Sequence, residues 1–187
     1  MKDICVFFGT GFEELEALSP VDILRRAGLP VKMVSIYEPE NGKKTVTGSH
    51  GIEIGMDACL SEIDFDRVEM IVLPGGMPGT RNLEACAPLM EQVKAFAEAG
   101  RPLAAICAAP TVFGHLGLLT GKTAGCYPGM EGDLTGACVS YDPVSVDGNI
   151  ITARGAGAAI PFALAILAFF EDEKRAAEMA EKIVFEK

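Results

Sequence analysis

LAAICAAPTVFGH, residues 103–115, is the stretch that decides how this chain folds. Residues 103–106 are apolar without interruption, the composition of a strand buried on both faces. Cys107 ends the run, and Ala108-Ala109-Pro110 opens a helical pattern. Proline is tolerated in a first helical turn because the N–H it lacks has no intrahelical partner there. The reading is a strand whose C-terminal edge turns tightly into a helix, with a thiol on the turn.

Outward from that stretch, apolar runs alternate with helical patterns. Residues 4–9, 30–37, 68–76 and 102–107 read as strands, and residues 13–28, 81–99, 110–119, 158–170 and 172–184 as helices. The 13–28 helix is acidic at its start, basic at its end and closed by Gly28, which suits the helix dipole. Residues 44–55 alternate around Gly48-Ser49 like a hairpin, and residues 145–154 read as a second hairpin or strand pair. Strands alternating with helices predict a mostly parallel sheet with helices on both faces. No linker or internal repeat divides the chain, so residues 1–187 are expected to form one domain.

Of the 187 residues, 16 are Lys or Arg and 26 are Asp or Glu, for a formal net charge of −10 with no basic cluster. This argues against nucleic acid and anionic membranes as partners, and for a cytoplasmic protein. Residues 158–170, AAIPFALAILAFF, form the longest apolar stretch and fall short of the ~18 residues of a membrane span. The start MKDICVFFGTG does not read as a signal peptide. The six cysteines are scattered without a CxxC pair, so free thiols are expected. His50 and His115 have no ligand-like spacing, which predicts no metal site. FGTGFEE has two glycines of a dinucleotide fingerprint and lacks the third, so it reads as a turn and predicts no cofactor.

In open parallel sheets, sites form beyond the C-terminal ends of the strands. Cys107 stands at such an end and at a helix N-terminus, where the dipole lowers a thiol's pKa; this is the layout of a nucleophile elbow, the alternative being an inert core cysteine, since free Cys is among the most buried residue types. Gly75 and Gly76 close the 68–76 stretch, where the strand runs into a Gly-rich loop; they are either a plain Gly/Pro turn or turn bare N–H groups toward the site, making an oxyanion hole with the N–H of Ala108. Glu13 and Glu14 suit a solvated first turn complementing the dipole. Glu16, flanked by Leu15 and Leu18, is expected to face the apolar interior, with a raised pKa and a proton shared with the thiol. His115, eight residues past Cys107, is expected to be a satisfied structural residue. Tyr127 precedes Pro128 at the start of a loop, where the ring either simply packs or offers a phenol, which donates a hydrogen bond near neutral pH but rarely acts as a base.

EELEALSPVDILRRAG (13–28), IVLPGGMPGTRNL (71–83), LAAICAAPTV (103–112) and ITARGAGAAIPFALAI (151–166) together resemble the ThiJ/PfpI superfamily, in the branch of the parkinsonism-associated protein deglycase. The resemblance runs nearly end to end. It implies a flavodoxin-like sandwich, related to class I glutamine amidotransferases, and a homodimer whose contact uses the first helix and the 44–55 hairpin. It places the family's nucleophile on Cys107, its partner carboxyl on Glu16 and its glycine pair on Gly75 and Gly76. The protease-like branch has histidine directly after the cysteine; Ala108 stands there, which disfavours a peptidase. The human-like branch has histidine before the proline near the site, where this chain has Tyr127.

The activity so implied is a cofactor-free, glutathione-independent glyoxalase (glyoxalase III) or deglycase, acting on methylglyoxal-type carbonyls or on glycated thiols and amines, in carbonyl and oxidative stress protection. The alternative is a redox-sensing, chaperone-like protein in which Cys107 is oxidised to sulfinate, since the same thiolate serves both.

Overall fold

The computed structural model describes residues 2–39 and 41–185. In chain order its strands are β1 (Asp3–Phe8), β2 (Val31–Ser35), β3 (Thr45–Thr47), β4 (Glu53–Gly55), β5 (Ala58–Cys59), β6 (Val68–Leu73), β7 (Leu103–Ile106), β8 (Thr123–Ala124), β9 (Cys138–Val139), β10 (Val144–Asp147) and β11 (Ile150–Ala153). The helices are α1 (Glu14–Arg26), α2 (Gly79–Ala85), α3 (Ala87–Glu98), α4 (Pro110–His115), α5 (Ala159–Phe170) and α6 (Glu173–Lys182).

Seven strands form one sheet in the order β10-β11-β7-β6-β1-β2-β5. Every neighbouring pair is parallel except β10 and β11, which are antiparallel. The chain runs outward from β1 through β2 and β5, then returns to β6 on the other side of β1 and continues to β7 and β11. That reversal opens the crevice in which sheets of this type bind ligands, beyond the carboxyl ends of the central strands.

Period-two alternation along the strands feeds two cores. Ile4, Val6 and Phe8 of β1, with Ala104 and Ile106 of β7, pack under α1, α5 and α6. Cys5 and Phe7, with Leu103 and Ala105, pack on the opposite face with Leu89, Val93 and Phe96 of α3 and Val112 and Phe113 of α4. This is the mostly parallel sheet with helices on both faces expected from the alternation of strands and helices, and the flavodoxin-like sandwich that the resemblance implies.

Two helices differ from expectation. The 81–99 segment is two helices, broken at Cys86, whose ψ of 88° is not helical; Pro88 then sits in the first turn of α3. The 110–119 helix stops at His115, because Gly117 adopts a left-handed φ of +74° and Leu118 N–H bonds back to the Phe113 carbonyl at 2.9 Å. The 44–55 hairpin pairs β3 with β4 across a loop at 48–52, and β8 and β9 form a short parallel pair. No helix among the described residues is long and apolar enough to cross a membrane.

Candidate active site

Cys107 follows β7 directly and carries a φ of +65°, the left-handed region that costs a non-glycine residue about 1 kcal/mol or more. Its backbone is pinned from both sides. Its N–H donates to the Ala153 carbonyl at the end of β11, at 2.8 Å, and its carbonyl accepts from Tyr127 N–H, also at 2.8 Å. The turn is closed by Ala109 N–H to the Ile106 carbonyl at 3.1 Å and by Thr111 Oγ1 donating to the Ala108 carbonyl at 2.7 Å. The half-buried thiol receives the N–H groups of Ala108 and Gly76.

Glu16 comes to the same point from α1. Glu13 caps that helix, its carboxylate accepting from Glu16 N–H at 2.8 Å. Glu16 is 1% exposed; its Oε2 accepts from Gly75 N–H at 3.1 Å, and its carboxyl hydrogen-bonds the Cys107 thiol. Burial pushes the Glu16 carboxyl up to about 7. The Cys107 thiol is pushed up to about 12, first by burial and then by the Glu16 charge; the Ala108 and Gly76 N–H groups pull the other way and are outweighed. The thiol is thus not the dipole-lowered one expected from a helix N-terminus. Desolvation and an adjacent carboxylate both disfavour a second negative charge.

The two glycines are dictated by space. A Cβ on Gly75 would lie 2.5 Å from Glu16 Oε2 and 2.6 Å from Cys107 Cβ. Gly76 has a φ of +89°, and its Cβ would strike the Glu13 backbone nitrogen. Their N–H groups divide the work: Gly76 and Ala108 face the sulfur, while Gly75 is engaged by Glu16. Tyr127, 52% exposed, meets Cys107 through its backbone, and its ring lies beside Gly155.

Two other acids and both histidines lie outside this cluster. Glu14 is 6% exposed rather than solvated. Its carboxylate accepts from His50 N–H at 2.8 Å and meets His50 Nδ1 at 2.7 Å, docking the hairpin tip on the start of α1. Burial pushes Glu14 up, but the His50 hydrogen bonds prevail and hold it below its ordinary value. Glu13, Glu14 and His50 bring three donor atoms within 4.8 Å of one another, yet their oxygens already serve the α1 cap and the hairpin dock. His115 sits on the outer side of α4, its Nδ1 2.6 Å from Glu84 Oε1 of α2. The FGTG loop is a packing turn: Gly11 N–H donates to the Thr47 carbonyl at 2.8 Å, and a Cβ there would lie 2.5 Å from Pro78 Cδ.

A strand-end cysteine at left-handed φ, a carboxyl from the first helix and a glycine pair from the neighbouring strand is an arrangement that can be matched against known families. Residues 2–169 match the model of the DJ-1/PfpI family. The chain belongs to the DJ-1/PfpI family. It is 36% identical over 185 residues to DJ-1 homolog B of Arabidopsis thaliana, covering 98% of this chain but 41% of that protein's length. It is 30% identical over 148 residues to a deglycase of Pyrococcus abyssi, covering 78% of this chain and 86% of that one. A solved structure of oxidized Toxoplasma gondii DJ-1 superposes with a TM-score of 0.93 at 30% identity, over 100% of both chains. Within the DJ-1/PfpI family this chain has its cysteine at the end of β7, followed by Ala108 and faced by Glu16.

Proposed function

We propose that this DJ-1/PfpI protein is a cofactor-free, cysteine-dependent glyoxalase or deglycase acting on methylglyoxal-type 2-oxoaldehydes or their adducts with thiols and amines. The observation that carries the reading is the buried Glu16 carboxyl, raised to about 7 and hydrogen-bonded to a thiol that also faces two backbone donors. Such a carboxyl changes protonation state near neutral pH, as a group that takes and returns protons in one cycle must. The deglycase name of the Pyrococcus abyssi relative points the same way.

In this mechanism the thiol proton passes to the Glu16 carboxylate as sulfur bonds the aldehyde carbon. The carbonyl pair moves onto oxygen, held by the Gly76 and Ala108 N–H groups until Glu16 returns the proton. Glu16 then takes the C1–H proton; the C–H pair becomes a C1=C2 bond, and the C2 carbonyl pair moves onto its oxygen. Return of that proton to C2, with the C1 hydroxyl proton passing to the C2 oxygen as C1=O reforms, leaves a lactoyl thioester on Cys107. Water attacks the thioester carbon, the C–S bond breaks, and lactate leaves with a proton as the thiol is restored. C1 is oxidised and C2 reduced, so no outside redox partner takes part. The test is methylglyoxal turnover with lactate detection against Cys107→Ala; equal rates in the two proteins refute it.

A second reading makes Cys107 a peroxide-oxidised redox sensor in a chaperone-like protein, and the oxidized state of the Toxoplasma gondii neighbour favours it. Sulfinate formation on exposure to peroxide, with dicarbonyl turnover no faster than in Cys107→Ala, decides for the sensor. We further propose a cytoplasmic homodimer, supported by Leu15 of α1 and Ile52 of the hairpin loop, 61% and 51% exposed on adjoining elements. Light scattering at micromolar concentration tests it, and a monomer mass refutes it.

A further inference from the structure

Glu13 opens α1 as its N-cap, with a φ of −84° and a ψ of 125°. Capping alone does not call for glutamate: the short side chains of Asn, Asp, Ser and Thr are the ones preferred there. Glu13 is also the residue through which α1 meets the glycine pair. Its N–H donates to the Gly75 carbonyl at 2.9 Å. The Gly75–Gly76 peptide is trans, so its carbonyl and its N–H point in opposite directions. Holding the Gly75 carbonyl toward α1 therefore turns the Gly76 N–H the other way, toward the Cys107 sulfur that receives it. The half-buried Glu13 carboxylate meanwhile accepts from Glu16 N–H at 2.8 Å, so it lies against the turn that carries the site's carboxyl.

We propose that Glu13 is a positioning residue of the Cys107 site, its carboxylate fixing the first turn under Glu16 and bringing a second negative charge to bear on the Glu16 carboxyl. As a role in turnover this rests on the carbonyl chemistry above; as a property of the thiol–carboxyl pair it stands by itself. A negative charge this close disfavours a neighbouring carboxylate, and Glu13 adds to the rise that burial gives Glu16. The hydrogen bonds from Cys107 and from Gly75 N–H act in the opposite direction. Glu13 thus helps hold the proton of the pair into the neutral range, where a group that takes and returns protons must work. Glu14 of α1 and His50 of the hairpin tip, whose donor atoms lie with that of Glu13 inside 4.8 Å, pair with each other at 2.7 Å and are untouched by the substitutions below.

The test separates charge from capping. Glu13→Gln keeps an acceptor of the same shape and removes the charge. Glu13→Asn and Glu13→Asp are both preferred caps and differ from each other only in charge. The readout is the pH at which Cys107 labelling by iodoacetamide has its inflection, followed by peptide mass spectrometry. In wild type this falls near pH 7, where the pair loses its first proton. Without the Glu13 charge Glu16 gives up its proton more easily, so the inflection is expected to fall by about half a pH unit in Glu13→Gln and Glu13→Asn, and to stay near its wild-type position in Glu13→Asp. A merely structural cap would change the unfolding midpoint and leave the inflection in place. An unmoved inflection in Glu13→Gln overturns the proposal, as does an equal fall in Glu13→Asn and Glu13→Asp. The expected shifts in a protein inert to methylglyoxal uphold Glu13 and overturn only the carbonyl reading.

Discussion

Replacing Glu16 with glutamine tests the electrostatics of the site through folding stability, without any assumption about substrate. The carboxyl's rise from its ordinary 4.5 to about 7 corresponds to about 3 kcal/mol. A group whose folded-state pKa lies above its unfolded value holds its proton more tightly when folded. Its stabilising contribution is complete below pH 4.5 and is lost as pH climbs to 7, where the buried carboxylate must be carried. Glutamine has the shape of the protonated acid: its carbonyl oxygen can accept Gly75 N–H and its amide N–H can donate to the sulfur. Wild type and Glu16→Gln should therefore have similar unfolding free energies at pH 4.5. By pH 8 the variant should be more stable by about 3 kcal/mol, roughly 6–12 °C in midpoint for a chain of this size. Urea unfolding of both proteins at the two pH values measures the difference. His50 and His115, both raised by neighbouring carboxylates, titrate in both proteins and cancel. A stability difference that is the same at both pH values refutes the buried, raised carboxyl. Dicarbonyl turnover should meanwhile fall by at least about 100-fold, the usual contribution of a general acid–base group.

The same proton governs thiol chemistry: Cys107 labelling by iodoacetamide should rise to an inflection near pH 7, where the pair loses its first proton, and the inflection should vanish in Glu16→Gln. Tyr127→Phe keeps the backbone bond to Cys107 and should lower turnover about ten-fold if the hydroxyl donates to the bound carbonyl, one hydrogen bond's worth; an unchanged rate leaves the ring as packing beside Gly155. Gly114→Ala should destabilise by about 1–3 kcal/mol, as overpacking does, because its Cβ would run into the Asp133 carbonyl and lie 2.9 Å from Leu134 Cα; an unchanged urea midpoint refutes the tight contact between α4 and that turn.

The sheet was legible because β1, β6 and β7 are apolar runs that need no partner to be recognised, and proline and glycine punctuate the turns around them. The two-residue strands β5, β8 and β9 were not, since two residues have no period. The break at Cys86 hides inside a segment whose apolar spacing reads as one helix. At the site, Glu16 does face inward, but Leu15, on which that expectation leaned, is itself exposed; the buried face of α1 that Glu16 shares is formed by Ala17, Pro20, Val21 and Leu24. The pKa of Cys107 did not follow, because its larger cause is burial by the packed elements and its second is the Glu16 charge from 91 positions earlier in the chain, and sequence spacing carries neither. Glu14 looked like a dipole partner because its binder His50 is 36 positions away.

The backbone of Cys107 has a consequence for how this position can change over generations. Glycine is the one residue that would hold φ +65° without strain, and both backbone hydrogen bonds there are independent of the side chain. Drift that sampled only foldedness would therefore favour glycine at 107, and Cys107→Gly should be no less stable than Cys107→Ala in spite of its more flexible unfolded chain. A descendant that had lost its need for the thiol could make that change with relief of the backbone strain, against the loss of the thiol's hydrogen bond to the buried Glu16 carboxyl. The elbow is thus a position where selection for chemistry and selection for stability pull toward different amino acids, and the residue found there reports which of the two is acting.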